Sequence, residues 1–360
     1  MKFLDLFAGI GGFRLGMESA GHECIGFCEI DKFARASYKA IHDTKGEIEL
    51  HDITRVTDES IRRIGRVDAI CGGFPCQAFS IAGNRRGFED TRGTLFFEIA
   101  RFASILRPQY LFLENVKGLL NHENGITFET IISTLDELGY DVEWQVLNSK
   151  DFGVPQNRER VFIIGHFRGE CTRKIFPLSG QSQSISNKSV VKIGNVNPSG
   201  NGMNGEVYQA DGLAPTLTTN KGEGQKIAIK SNTIKQFGVL QPNFNQCGVV
   251  YETDGIAPTI RAYQGGGLEP KIIQRGHGYN QGGVHEIAPT LTSNSYHENN
   301  HLSFGYRIRK LTPRECWRLQ GFPDWAFDKA QEVNSNSQLY KQAGNSVTVN
   351  VIAAIAKELE

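Results

Sequence analysis

Over its first 170 residues this chain alternates β-rich runs with helical patterns, and that alternation restricts the fold more than any other feature. Strand candidates cover residues 3–7, 24–30, 48–53, 67–71, 110–113, 142–147 and 161–165. Helical patterns lie between them, notably over 95–106 and 128–138; another ends near Ala20, and Asp31 is placed to cap the next. Strands separated by helices predict a mostly parallel sheet covered on both faces. The fold class expected is α/β.

Length and composition narrow the functional classes. The chain has 360 residues, 39% hydrophobic and 22% charged, which suits about two domains and excludes general disorder. No apolar run approaches the ~18 residues of a membrane span. The start, MKFLDLFAG, has neither a basic n-region nor a small-residue cleavage site, so secretion is not expected. Seven scattered cysteines, an odd number, do not read as a disulfide framework. A cytoplasmic protein with reduced thiols is expected. Net charge is zero, so any polyanion must meet a local patch, because the average field steers little.

Near Arg168 the texture changes. Residues 171–305 hold 19 of the 40 glycines, with short β-like pieces such as 225–229 between Gly/Asn turns. Three pieces there share an Ala-Pro-Thr core followed by Leu or Ile, at 211–218, 254–261 and 286–292, spaced by 43 and 31. That uneven spacing argues against a solenoid. From Arg307 helical character returns: Thr312, Pro313 and Glu315 have the pattern of a capping box. Residues 346–359 carry apolar side chains at helical spacing and could fold back onto the first domain.

Chemistry concentrates in a few places. Residues 5–16, DLFAGIGGFRLG, put glycines in the first strand-to-helix turn, where backbone can approach a ligand and a helix N-terminus can receive negative charge. The spacing G-x-G-G fits a dinucleotide fingerprint poorly. Glu29 ends the second strand, where an acid can hold a ribose diol, and Asp52 ends the third, within reach of an adenine amino group. An adenosine-containing ligand competes here with a plain glycine turn flanked by solvated acids. Cys76, within GGFPCQAFS, follows the fourth strand, where α/β sheets bind their ligands, although free cysteines are often only small core residues. Glu114 follows an apolar strand, and the segment QNRER at 156–160 could bring guanidinium groups to the same edge.

Taken together these segments resemble the cytosine-5 DNA methyltransferases of bacterial restriction–modification systems. The resemblance rests on DLFAGIGG at 5–12, GGFPCQAFS at 72–80, ENV at 114–116, QNRER at 156–160, RKLTPRECWRLQGFP at 309–323 and GNSV at 344–347, in the family's order. It implies a Rossmann-like S-adenosylmethionine-dependent fold with a smaller, irregular β-rich domain. The implied organisation is a catalytic domain over 1–170 and a target-recognition domain over 171–305. A hinge and return helix would cover 306–343, and a C-terminal segment at 344–360 would fold back onto the catalytic domain.

By the same resemblance, Phe7, Gly9 and Gly11 line the cofactor pocket, Glu29 holds the ribose, Asp52 and Ile53 hold the adenine, and Pro75, Leu95 and Asn345 complete it. Cys76, Glu114, Arg158 and Arg160 would be catalytic. From the residues themselves, the glycine-hinged basic loop after Ser80 reads as a lid with Arg85 and Arg86 on phosphate. The Ala-Pro-Thr pieces read as a DNA-reading face with Thr218, Thr219, Arg261 and Thr292 following them, and Gln77 and Ser80 are further candidate DNA contacts. The chemistry makes independent sense of the set. C5 of cytosine is a poor nucleophile, and a thiolate added at C6 makes it a good one. Glu114 can donate to N3, Arg160 can stabilise O2 with Arg158 in support, and the base must leave the duplex to be reached.

The expected partner is double-stranded DNA, with a possible cognate restriction endonuclease acting on the same site. The chain is expected to be a bacterial or phage-encoded monomer in the cytoplasm, without metal. An RNA-directed enzyme on the same scaffold and a non-catalytic DNA-binding homologue are the alternatives; retention of Cys76, Glu114, Arg158 and Arg160 speaks against the second.

Overall fold

The first strand, β1 (Lys2–Leu6), starts the chain in the middle of a sheet rather than at its edge. The structure, a computed structural model, describes residues 1–75, 95–169, 173–180, 189–195, 205–217 and 306–359, with isolated strands at 226–230, 236–239, 249–251, 272–274, 283–285 and 300–301. The sheet also holds β2 (Glu23–Cys28), β3 (Ile48–Leu50), β4 (Ala69–Gly73), β5 (Tyr110–Val116), β6 (Tyr140–Asn148) and β7 (Glu159–Phe167). Their order is β3-β2-β1-β4-β5-β7-β6. Only β7 runs antiparallel to its neighbours. The chain therefore moves outward from β1 to β3 and then returns to β4 on the other side of β1. This reversal is the switch point where open α/β sheets bind ligands.

The period-two side-chain alternation of strands divides the core between the two faces. On one face Leu4, Leu6, Ile70, Leu111 and Ile163 pack with helices α4 (Leu95–Leu106) and α5 (Ile126–Glu137). On the other, Phe3, Cys71, Phe112 and Ile164 pack with Phe13 and Met17 of α1 (Gly12–Ser19). Val351, Ile352 and Ile355 of the last helix join that second cluster.

Between these lie α2 (Lys32–Ile41), where Asp31 accepts from the Phe33 and Ala34 amides as its N-cap, and α3 (Asp58–Arg62). The C-terminal helices are α6 (Pro313–Leu319), α7 (Asp324–Gln331), α8 (Asn336–Asn345) and α9 (Val349–Ala356). Thr312 and Glu315 close the expected capping box of α6. Gly16 lets α9 lie close on α1: a Cβ there would sit 2.5 Å from Ile352 Cγ2.

The chain divides into two units whose bounds differ from the sequence expectation. The first comprises Met1–Val190, Gly212–Gly224 and Leu311–Glu360. Residues 173–180 stay with it because Glu143 and Gln145 of β6 accept the Ile175, Phe176 and Leu178 amides. The stretch expected as a hinge, 306–343, puts α6, α7 and most of α8 in the same unit. Lys329 donates to the Ile41 carbonyl there, and Asn334 to that of Phe33.

The second unit, Val191–Asp211 and Gln225–Lys310, is short-stranded and β-rich. Its four-stranded sheet joins β8 (Lys192–Asn195), β9 (Glu206–Gln209), β10 (Lys226–Lys230) and β16 (Tyr306–Lys310). Smaller pieces pair β11 (Gln236–Val239) with β12 (Val249–Tyr251), and β13 (Ile272–Gln274) with β14 (Gly283–His285) and β15 (Asn300–His301). A short strand precedes each Ala-Pro-Thr piece: β9, β12 and β14 respectively.

Candidate active site

The loop after β1 has the backbone of a ligand-binding turn. Phe7 adopts φ 55°, Gly9 φ 57° and Gly11 φ 85°. A non-glycine residue such as Phe7 in this region is strained, and such strain gathers at binding sites. A Cβ built on Gly9 meets nothing within 4 Å, so the turn faces open space there. At Gly11 the space is filled, since a Cβ would lie 2.1 Å from His42 Nε2.

Glu29, just past β2, lies against this turn. Its carboxylate accepts from the Gly9 amide at 2.8 Å and the Asp31 amide at 2.7 Å, which fixes it while leaving lone pairs free. Burial pushes its pKa up, and those two hydrogen bonds oppose the rise. Ile30, next in sequence, is 67% exposed and offers an apolar surface at the same edge. Its signal in sequence was only an apolar residue where a strand gives way to a loop.

Asp52 is placed differently from the expectation. β3 ends at Leu50, and Asp52 instead caps a 3-10 turn over Ile53–Arg55. One carboxylate oxygen accepts from Thr54 and the other lies 3.2 Å from Arg55 Nε. A short Asp side chain competes well for nearby amides, which is why the strand stops early. The Ile53 side chain is buried in the core with Leu4 and Leu6. Pro75 is exposed, Leu95 half-buried at the start of α4, and Asn345 exposed as the last residue of α8.

The acidic end of β5 faces the end of β4. Gly73 is paired with Glu114, and a Cβ on Gly73 would sit 3.0 Å from Glu114 Oε2. The Glu114 side chain is 10% exposed, and Arg160 Nε of β7 lies 3.0 Å from its Oε1. Burial pushes the Glu114 carboxyl above the usual range, while Arg160 and then Arg158 pull it back. Asn115, which the sequence reading left without a role, donates to the Phe74 carbonyl at 2.9 Å and ties β5 to the chain leading towards Cys76. Its signal was its place beside Glu114 in ENV.

Arg158 is buried, but its guanidinium turns to main-chain carbonyls rather than to Glu114. It donates to Ser346 at 2.7 Å and Gly344 at 3.2 Å, and reaches Leu217 at 3.5 Å. The first Ala-Pro-Thr piece lies against this turn: Ala214 exchanges backbone hydrogen bonds with Pro155 and Asn157. Leu213 and Leu217 beside it are buried.

Cys76, Gln77, Ser80, Arg85, Arg86, Thr218, Thr219, Arg261 and Thr292 lie outside the described residues, as do the second and third Ala-Pro-Thr pieces. Among the described cysteines, Cys24, Cys28, Cys71 and Cys316 are all buried. Burial pushes Cys24, Cys28 and Cys316 to about 12 and Cys71 well up, so none of the four is a thiolate nucleophile near neutral pH. No helix among the described residues is long and apolar enough to cross a membrane.

Comparison with known proteins agrees with this arrangement. The family model described as C-5 cytosine-specific DNA methylase matches residues 1–360. The orphan methyltransferase M.SPRI of Bacillus phage SPR is 35% identical, over 100% of this chain and 97% of its own length. The type II methyltransferase M.HhaI of Haemophilus parahaemolyticus is 36% identical, over 99% and 93%. Among solved structures, the S. pombe Dnmt2 methyltransferase matches with TM-score 0.60 at 18% identity, over 98% of this chain and 96% of its own, a likeness of fold. An α/β sheet that reverses at β1 and β4, a strained glycine turn and a buried acid–arginine pair thus meet a match along the whole length: the chain belongs to the C-5 cytosine-specific DNA methylase family.

Proposed function

We propose that the enzyme methylates C5 of a cytosine flipped out of a specific duplex sequence, through a covalent bond between Cys76 and C6 of the base. S-adenosylmethionine, when bound, supplies the electrophilic methyl group. The turn of Phe7, Gly9 and Gly11 fits such a donor, because Gly9 faces open space and Glu29 retains acceptors for a ribose diol. Ile53, Asp52, Pro75, Leu95 and Asn345 are the further candidates for its pocket.

The observation that carries this reading is Glu114: a buried carboxyl with a raised pKa, beside an arginine and against the end of the strand that leads to Cys76. A carboxylic acid that keeps its proton can donate to N3 as the Cys76 thiolate adds to C6 and ring electrons move toward N3. Arg160 stabilises the charge developing at O2. C5 is then an enamine carbon and takes the methyl group. Loss of the C5 proton to solvent and return of the N3 proton to Glu114 expel the thiolate and restore the aromatic ring.

Residues 171–305 would read the DNA sequence, with Arg85 and Arg86 on phosphates and Thr218, Thr219, Arg261 and Thr292 near bases or backbone. The modification would protect host DNA from a cognate endonuclease.

A duplex carrying 5-fluorocytosine tests the mechanism, because its C5 has no proton to lose. With S-adenosylmethionine the protein is expected to remain bound through Cys76 in a complex that survives denaturing electrophoresis. Cys76→Ala should abolish the complex. Failure to form it with an enzyme active on cytosine, or attachment through another cysteine, would overturn the covalent reading.

A further inference from the structure

Arg158 serves two sides of the site at once. Its guanidinium sits at the C-terminal end of α8, where the final carbonyls have no partners within the helix and the helix dipole is negative. One terminal nitrogen, Nη2, donates to both Gly344 and Ser346, the carbonyls flanking Asn345. The other reaches Leu217, and among the described residues Nε has no hydrogen-bond partner and the guanidinium is oriented by main-chain oxygens.

The Arg158 backbone is equally fixed. Its amide donates to Asn148 Oδ1 at 3.1 Å, and its carbonyl accepts from the Ser149 amide at 3.0 Å. Ser149 Oγ lies 2.8 Å from Thr348 Oγ1, which donates to Gln320, which in turn donates to Ala343 of α8. A buried chain of hydrogen bonds thus closes on the same helix end. Two residues beyond Arg158, Arg160 meets Glu114.

We propose that Arg158 is a positioning residue that couples the two halves of the site: it places Asn345 on the cofactor side and Arg160 on the base side. The inference rests on the reading above, in which those two residues face the methyl donor and the cytosine. Lysine cannot replace the planar fork, because a single ammonium has no fixed geometry for three carbonyls.

The test compares full-length wild-type protein with Arg158→Lys and Arg160→Lys. Two quantities are measured: the dissociation constant of S-adenosylhomocysteine without DNA, and the trapping rate on a 5-fluorocytosine duplex at saturating S-adenosylmethionine. Arg158→Lys should weaken cofactor binding about tenfold, the scale of one lost charge-assisted hydrogen bond, and also slow trapping. Arg160→Lys should slow trapping and leave cofactor binding unchanged. Circular dichroism and the melting temperature monitor the fold, and a purely structural defect would not divide the two readouts in this way. Cofactor affinity within twofold of wild type in a folded Arg158→Lys would overturn the coupling. Wild-type protein that neither binds cofactor nor traps would instead overturn the functional reading beneath it.

Discussion

Arg160 Nε lies 3.0 Å from Glu114 Oε1, with both side chains largely withdrawn from water. The pair holds a balance: burial favours the neutral acid, and the guanidinium favours the carboxylate. Replacing Arg160 by Gln removes the opposing charge, so the Glu114 pKa rises further. The proton-donating form then persists to higher pH, and the alkaline limb of the trapping rate moves upward. The rate itself should fall by roughly 10²–10³-fold, the usual scale for losing a transition-state donor. A pH series of trapping rates measures both, and a limb that moves downward contradicts the assignment.

Glu114→Gln should leave the Cys76 thiolate in place and slow methyl transfer by roughly 10²–10⁴-fold, since an amide is a far weaker acid toward N3. Single-turnover kinetics with labelled donor would show this. A rate close to wild type would remove Glu114 from the chemistry.

Glu29 is held by the Gly9 and Asp31 amides. Glu29→Gln turns an NH₂ group toward one of those donors and away from ligand acceptance. Cofactor affinity should fall by roughly 10–100-fold, the cost of a hydrogen bond to a charged group. Calorimetry in the absence of DNA reads it directly, and unchanged affinity would exclude a ribose contact.

His42 is buried beside Arg14, and the two effects lower its pKa to about 3. Its unfolded value is about 6.5, so the unfolded chain binds a proton that the folded chain refuses. The contribution of this group to stability is therefore complete above pH ~6.5 and is lost progressively as pH falls toward 3. His42→Gln should flatten that part of the melting-temperature profile. A profile of the same slope would mean that other groups govern acid unfolding.

Gly16 and Ile352 let α1 and α9 pack closely. Ile352→Ala should cost about 2–5 kcal/mol. Gly16→Ala should also destabilise, because its methyl would meet Ile352. Combining the two should cost less than their sum by only about 0.5 kcal/mol. The truncation removes Cγ2 at 2.5 Å from the new methyl but keeps the residue-352 Cβ at 2.6 Å and the Ala353 nitrogen at 3.0 Å. Urea unfolding of the four proteins closes this cycle, and strict additivity would deny the contact.

Local chemistry made much of this protein legible in its sequence. All seven strands of the large sheet coincide with β-rich runs, and α4 occupies 95–106 as its apolar spacing predicts. The caps at Asp31 and Thr312 were readable because a short polar side chain satisfies amides only two or three residues away. Glu29 beside the glycine turn could be anticipated for a related reason: strand lengths fix where each strand delivers its last residue.

Tertiary structure decided whatever depends on distant partners. No local signal says that β7 enters antiparallel between β5 and β6, since pairing order follows from the packing of whole strands. Asp52 lies past the end of β3, where its carboxylate caps the turn of Ile53–Arg55. Residues 173–180 joined the first unit because Glu143 and Gln145 take the Ile175, Phe176 and Leu178 amides. Its place in QNRER marks Arg158 as a support for Arg160, yet its guanidinium reaches carbonyls 186 and 188 residues away. Sequence shows which residues carry charge and hydrogen bonds, but where a buried guanidinium points depends on which orphaned carbonyls the folded chain brings within reach.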